Sequence, residues 1–413
     1  MKKTTTNADA NLTTTKRIAS ILFDLESPGD FGVGGAARKL PSFPGMEING
    51  IDGHIPLPIN GSVATQLKTV ACVTPFGEGF DTVVDKTVRK EHAWQINGQH
   101  ISFSHPKWKS AVQALANRAV LKLGCDRLAV VEPILYKALL YEKGGHLKPH
   151  KDTEKEDNAF ATLVIQLPSR CTGGTLSMQH GKDTKMARFG QDESSSSYKA
   201  HYAAFYADVE HCFEPVTSGY HLSLTYSLCW KSPDITIPRL STTSTDRLAP
   251  VLTSWSSVPG RYDGPIGIVL EHEYTDSYFS KGMNKVLKGR DLEVIKAIQS
   301  HNKHLPSDTK LAIVIANVQR NMSEYFTGDR YHRDEEEDWE EGDCYEQVNN
   351  VYDMGGMKTE RAFDFDDLEL IDVARGDIIG KNDNEWWGLG DDDYEVDVPR
   401  SMFRTEEQST RST

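Results

Sequence analysis

The stretch Leu139–Ser169, LLYEKGGHLKPHKDTEKEDNAFATLVIQLPS, decides the fold. An apolar run ends at the Gly144-Gly145 turn signal, and His150-x-Asp152 follows. In an extended backbone, residues i and i+2 point to the same side. An imidazole and a carboxylate can then reach one metal together. Pro149 and the glycine pair argue against a helix here. The His146–His150 pair therefore does not read as a helical zinc site, and the glutamate of a zincin motif is also missing between them. A third ligand must come from elsewhere in the sheet. The candidate is His211, 61 residues beyond His150, in the segment 206–226, YADVEHCFEPVTSGYHLSLTY.

Working outward, short apolar runs separated by turn residues predict strands at 129–131, 135–141, 160–167, 174–179, 202–207, 211–216 and 220–230. Gly144-Gly145, Pro168-Ser169, Gly173-Gly174 and Ser218-Gly219 divide several of them. Seven short strands at this pitch predict an antiparallel sandwich or barrel. A polar stretch, His180 to Lys199, interrupts them and reads as a long loop, with a Ser-rich hairpin tip at 190–200. Upstream, Trp108, Val112, Leu115, Ala116, Ala119 and Leu123 recur at helical spacing within 105–124, and Gly124 supplies the stop. Residues 28–65 are rich in Gly and Pro and predict loops and short strands. Downstream of residue 235 the pattern is mixed. A strand is expected at 266–270, a helix around Leu292, Ile295 and Ile298, and a buried strand at 311–318.

The chain has 413 residues, with 46 Lys+Arg against 60 Asp+Glu. From Asp334 onward there are 26 acidic and 7 basic residues, so the acidity belongs to the last fifth of the chain. That balance argues against nucleic-acid binding by the tail. The acidic run 334–343 reads as a solvated loop, and Trp386-Trp387 as a pair of local anchors. The longest nearly unbroken apolar run, Leu311 to Val318, is far below the roughly 20 residues of a membrane span, so no membrane partner is expected. The N-terminus has no apolar core of the signal-peptide kind, and a cytosolic or nuclear location is expected. The six cysteines form no CxxC pair, and in a reducing compartment they are read as free thiols. Cys212, beside His211, should point to the other face of its strand.

Two His and one carboxylate on one face leave three positions of an octahedral Fe(II) open, the arrangement of non-haem iron oxygenases. Ligand type alone does not separate Fe(II) from Mn(II) or other divalent ions. Over about Leu135 to Trp230 the sequence resembles the Fe(II)- and 2-oxoglutarate-dependent oxygenase superfamily, in its prolyl 4-hydroxylase-like branch. The resemblance rests on Tyr141, the Gly144-Gly145 turn, His150-x-Asp152, Leu163 to Pro168, Gly173 to Leu176, and His211 to Tyr226. It implies a double-stranded β-helix, or jelly roll, with His150, Asp152 and His211 as metal ligands. It also implies O2 and 2-oxoglutarate as cosubstrates, with decarboxylation to succinate coupled to hydroxylation of a substrate C–H bond. The family places a basic residue about ten positions after the distal His, and a Ser or Thr two residues later, against the far carboxylate of 2-oxoglutarate. Here those positions are His221 and Ser223. The Ser agrees with the family pattern. The His departs from it, because an Arg would offer a planar two-donor fork that stays charged, whereas a His offers one directed donor and is charged only if its pKa rises. Tyr141 stands where relatives place a tyrosine against the cosubstrate.

The expected class is therefore mainly β, α+β overall: a jelly-roll core with flanking helices and a C-terminal mixed region. The expected organisation is a disordered N-terminus at 1–15 and a support region at 16–128. An oxygenase jelly roll at 129–232, a mixed α/β region at 233–330 and an acidic, partly disordered tail at 331–413 complete it. The resemblance implies a protein or peptide substrate, prolyl among the candidates. Two alternatives remain open at this point. One is a jelly roll that keeps the metal triad but serves as a binding module. The other is a cupin-like metal enzyme that does not use 2-oxoglutarate.

Overall fold

The computed structural model describes residues 7–73, 76–78, 81–83, 92–125, 130–152, 158–190, 195–231, 247–253, 266–283, 287–303, 305, 310–326, 339–360, 369–372 and 377–379. Trp386-Trp387, the acidic residues 334–338 and residues 191–194 of the Ser-rich stretch lie outside them. The chain forms two compact units: Pro28–Pro233, and Met1–Ser27 together with Asp234–Thr413.

A helix, α1 (Asn7–Phe23), opens the chain. In the Pro28–Pro233 unit the elements then run β1 (Gly32–Ala36), β2 (Met46–Ile48), α2 (Gly61–Lys68), β3 (Cys72–Val73), β4 (Phe76–Glu78), β5 (Asp81–Val83), β6 (Ala93–Asn97), β7 (Ile101–Phe103) and α3 (Trp108–Lys122). They continue with β8 (Val131–Glu142), β9 (Leu147–His150), β10 (Ala159–Gln166), β11 (Cys171–Gly173), β12 (Leu176–His180), β13 (Asp183–Ala187), β14 (His201–Tyr206), β15 (Glu210–Phe213) and β16 (Val216–Trp230).

The large sheet has the order β1-β14-β10-β16-β8-β6-β3, with β11 added to β16; a four-stranded sheet has the order β13-β12-β15-β9. From β8 to β16 the chain passes back and forth between these two sheets, and all their pairings in this stretch are antiparallel. That path is a double-stranded β-helix, as expected. Side chains from the two sheets meet in the middle: the rings of Tyr141 on β8 and Phe213 on β15 are 4.4 Å apart, and those of Phe205 on β14 and His211 on β15 are also 4.4 Å apart.

The other face of the large sheet is covered by α3. Its buried residues, Trp108, Val112, Leu115, Ala116, Ala119 and Val120, form one stripe at helical spacing. Trp108 Nε1 donates to the Tyr226 hydroxyl of β16 at 3.3 Å. The helix ends as the sequence predicts. Gly124 sits at φ 89°, its N–H bonds to Leu121 O, and the Cys125 N–H bonds to Val120 O. This is a Schellman closure, which needs a left-handed residue after the last turn.

Several expectations differ from the structure. Residues 7–15 belong to a helix rather than a disordered terminus, because Ile18, Ala19, Ile21 and Leu22 one or two turns later bury against Leu248, Val251, Val294 and Ile371 and carry the polar first turns with them. The stretch at 28–128 does not stand apart from the jelly roll: β1, β3 and β6 are strands of its large sheet. The polar run after His180 is not all loop. β13 folds back on β12 across a tight turn at Gly181-Lys182 and pairs from Leu176↔Ala187 to His180↔Asp183. Its pattern is mostly exposed, and besides the backbone pairing it is held by buried Ala187 and by Lys185, which pairs with Asp30 and lies over the Phe31 ring. Ser196 is not at a hairpin tip: it is buried, and its carbonyl accepts the Ser169 N–H.

The second unit has a three-stranded sheet in the order β17 (Ile266–Val269), β20 (Glu369–Asp372) and β21 (Asp377–Ile379), with β17 and β20 parallel. It also has a long hairpin of β18 (Val314–Phe326) with β19 (Trp339–Asp353), and a helix, α4 (Gly289–Asn302). Residues 339–343, expected in a loop, are therefore strand. Buried Asp291 in the first turn of α4 accepts the N–H groups of Glu271 and His272 and the Tyr274 hydroxyl, and burial pushes its carboxyl pKa up. Among the described residues, no helix is long and apolar enough to cross a membrane.

Candidate metal centre and the pocket behind it

β8 turns into β9 at Gly144-Gly145. Gly144 has φ 91°, and a side chain on Gly145 would fall 2.3 Å from the His92 carbonyl oxygen, so the turn requires glycine. Gly144 N–H bonds to Val216 O and Val216 N–H to Gly145 O. These bonds tie the entrance of β9 to the start of β16. Glu142, at the end of β8, holds Lys68 Nζ at 2.5 Å and His92 Nδ1 at 3.2 Å.

β9 then lies beside β15 with His150 and His211 as register partners, and their ring centroids are 4.3 Å apart. Asp152 follows β9, its N–H bonded to Ala207 O. His211 Nε2 lies 4.0 Å from Asp152 Oδ2. One ligand atom from each of the three residues falls within 4.8 Å of the others. His211 is buried, while His150 and Asp152 are half-buried, so the cluster borders solvent on one side.

The surroundings orient these groups. His150 Nδ1 is 3.0 Å from the Lys148 carbonyl oxygen, and His211 Nδ1 is 3.1 Å from that of Val209. A carbonyl only accepts, so Nδ1 carries the proton in both rings. The Nε2 atoms then present lone pairs, which is the tautomer a metal needs. Thr162 Oγ1 on β10 donates to Asp152 Oδ2 at 2.5 Å, a charge-assisted bond that fixes the carboxylate. The Phe205 ring packs on His211. Two imidazoles and one carboxylate, each held by a second bond, could hold a divalent metal with positions left over.

Thr162 was not singled out in the sequence, and neither was Gln166 four residues on. Both point from β10 into the space between the sheets. Inside the apolar run Phe160–Leu167, two polar residues at even spacing are the signal that could have found them. A cavity of about 20 Å³ beside Asp152 is also lined by Thr162, Thr225 and Ser227.

His221 lies deeper, on β16 opposite Tyr141. It is 1% exposed, and among the described residues neither ring nitrogen has a hydrogen-bond partner. The rings of Phe213, Phe189 and Tyr141 surround it at 4.7, 5.4 and 6.0 Å. Burial alone pushes its pKa down to about 3, so the imidazole is neutral near pH 7. Ser223, two residues on and buried, faces the same side. By the same alternation Lys137, the register partner of Thr225 and half-buried, shares the inner face of β8 with Tyr141. Cys212 pairs with Ser177 on β12, and burial leads the causes that raise its thiol pKa.

No protein-family model matches the sequence, and no curated protein matches it. Solved structures similar to part of the chain include a 2OG-Fe(II) oxygenase family oxidoreductase from Burkholderia pseudomallei, 13% identical, with a TM-score of 0.27, covering 51% of this chain and 89% of that one. A prolyl-4-hydroxylase from Pseudomonas putida is 15% identical, with a TM-score of 0.28, covering 52% and 100%. A prolyl hydroxylase from Trichoplax adhaerens, in complex with a hypoxia inducible factor peptide fragment, is 15% identical, with a TM-score of 0.26, covering 55% and 96%.

Proposed function

We propose that the protein is an Fe(II)- and 2-oxoglutarate-dependent dioxygenase that hydroxylates a C–H bond on a protein or peptide side chain, prolyl among the candidates. The observation that carries this reading is the cluster of His150, Asp152 and His211, with both Nδ1 atoms already used by backbone carbonyls. When bound, the iron and the 2-oxo acid supply the oxidising chemistry. The chain's own residues do the rest. His150 and His211 offer Nε2, Asp152 offers a carboxylate oxygen, and Thr162 keeps that carboxylate in one rotamer. Phe205 shields the inner side of His211 from water. His221, Ser223 and Tyr141 line the space where the far end of the cosubstrate is received. The half-buried side of His150 and Asp152 leaves an approach for a side chain presented from solvent. The peptide substrate is favoured because His150 and Asp152 are only half-buried, so the cluster meets solvent.

The test is anaerobic titration of 2-oxoglutarate into the Fe(II)-loaded full chain, following the visible charge-transfer band of the chelate at pH 6 and pH 8. A saturating band is expected at both pH values with similar affinity, because burial keeps His221 neutral across that range and it offers one N–H as donor. No band at millimolar 2-oxoglutarate at either pH removes this cosubstrate. Metal binding without it would leave the binding-module and cupin-like readings.

A further inference from the structure

We infer that Gln166 is a second anchor for the far carboxylate of the cosubstrate, acting with His221 to set which 2-oxo acid the pocket accepts. The inference rests on the cosubstrate reading above. Gln166 is 0% exposed, and among the described residues neither its Nε2 nor its Oε1 has a hydrogen-bond partner. A buried primary amide with both ends unmatched is costly and rare. Its position says what would match it. Gln166 is the register partner of Ser223, and Ser223 stands two residues from His221 on the same strand. Gln166 and His221 are thus diagonal neighbours on adjacent antiparallel strands, a separation of about 7–8 Å that long side chains close.

Both face inward. His221 touches Phe213 of the opposite sheet, and Gln166 has the parity of Thr162, which bonds to Asp152. Thr162 and Gln166 are four residues apart, about 13 Å along the strand. A five-carbon diacid bridges that interval once the reach of the metal ligands and of a glutamine side chain is counted. At the deep end, Gln166 Nε2–H, a His221 N–H and the Ser223 hydroxyl form three donors converging on one carboxylate. Gln166 Oε1 then accepts from a neighbouring hydroxyl or imidazole N–H. Two buried residues that lack partners among the described residues, on neighbouring strands and on the same face, form a polar end to an otherwise aromatic interior.

The experiment titrates the Fe(II)-loaded full chain, without oxygen, with 2-oxoglutarate and separately with 2-oxopentanoate. The latter has the same five carbons and chelating end but no far carboxylate. The wild type should prefer 2-oxoglutarate by at least about tenfold. Gln166→Met should weaken 2-oxoglutarate by roughly tenfold or more and leave 2-oxopentanoate unchanged. The ligand-free melting temperature of the same variant should rise by a few degrees (~2–4 °C), because an unmatched buried amide has been removed. A purely structural glutamine would show the opposite, a fall in melting temperature. Gln166→Glu, closer in volume, should lose 2-oxoglutarate still more strongly by like-charge repulsion.

Discrimination unchanged in both variants would overturn the assignment, as would equal weakening toward both acids. Loss of discrimination in Lys137→Met with retention in Gln166→Met would also overturn it and move the anchor to the lysine. A wild type that gives no band with either acid would defeat the cosubstrate reading itself, and this assignment with it.

Discussion

His150 and His211 face each other as register partners across β9 and β15, with ring centroids 4.3 Å apart and each Nδ1 held by the carbonyl two residues earlier. The same local device, repeated on two strands, turns both Nε2 atoms outward from the backbone. Metal should therefore stabilise the fold in proportion to its binding, by about 2.7 kcal/mol at a hundredfold excess over Kd. His211→Ala should abolish the rise in melting temperature that Fe(II) or Mn(II) produces in the wild type. An equal rise in the variant would remove His211 from the ligand set.

Thr162 is the positioning residue for Asp152. Its hydroxyl gives the carboxylate a strong charge-assisted bond at 2.5 Å. Thr162→Val keeps the shape and removes the donor. Loss of such an orienting bond typically weakens metal affinity by roughly 10–100-fold. Thr162→Ser should restore most of it. Metal titration by calorimetry separates the three proteins, and equal affinities would show that the carboxylate needs no such partner.

The pattern of what was legible follows from what each signal depends on. His150, Asp152 and His211 could be read because i, i+2 geometry and a turn context survive in a bare sequence. Helix α3 could be read because its stripe of six buried residues is periodic. Thr162 and Gln166 could not, because a lone polar residue within Phe160–Leu167 acquires meaning only when the facing strand is known. Strand β13 was hidden for a related reason: DTKMA carries no buried alternation, and its strand state comes from pairing with β12. The N-terminal helix was obscured by the polar first half of Asn7–Phe23, whose order depends on apolar residues far away in the chain.

The neutral, buried His221 has a consequence for acid stability. Its folded-state pKa is about 3 against an ordinary value of 6.5. The unfolded chain therefore binds the proton first as pH falls. Its contribution to stability is fully present above about pH 6.5 and is lost progressively toward pH 3, at up to about 1.4 kcal/mol per pH unit. His221→Phe removes this titration and fills the same aromatic cage. The variant should unfold at higher denaturant concentration than wild type, with the gap widening between pH 6.5 and pH 4. Parallel denaturation curves across that range would mean that the imidazole is not buried and neutral as described.

The last prediction concerns the support of the large sheet. Leu115 lies at the centre of the α3 stripe at 1% exposure, on the opposite side of the large sheet from Thr162, Gln166 and His221. Leu115→Ala removes three buried carbons and leaves a cavity, which costs about 2–5 kcal/mol in well-packed cores. The cost falls on the outer face of the large sheet, while His150 and His211 on β9 and β15 keep their own bonds to Lys148 O and Val209 O. Melting temperature should fall by several degrees. Metal affinity, measured well below the new midpoint, should stay within about threefold of wild type, because sites joined only through a shared sheet are close to additive. A large loss of metal affinity in Leu115→Ala would show that the triad depends on the helix for its geometry.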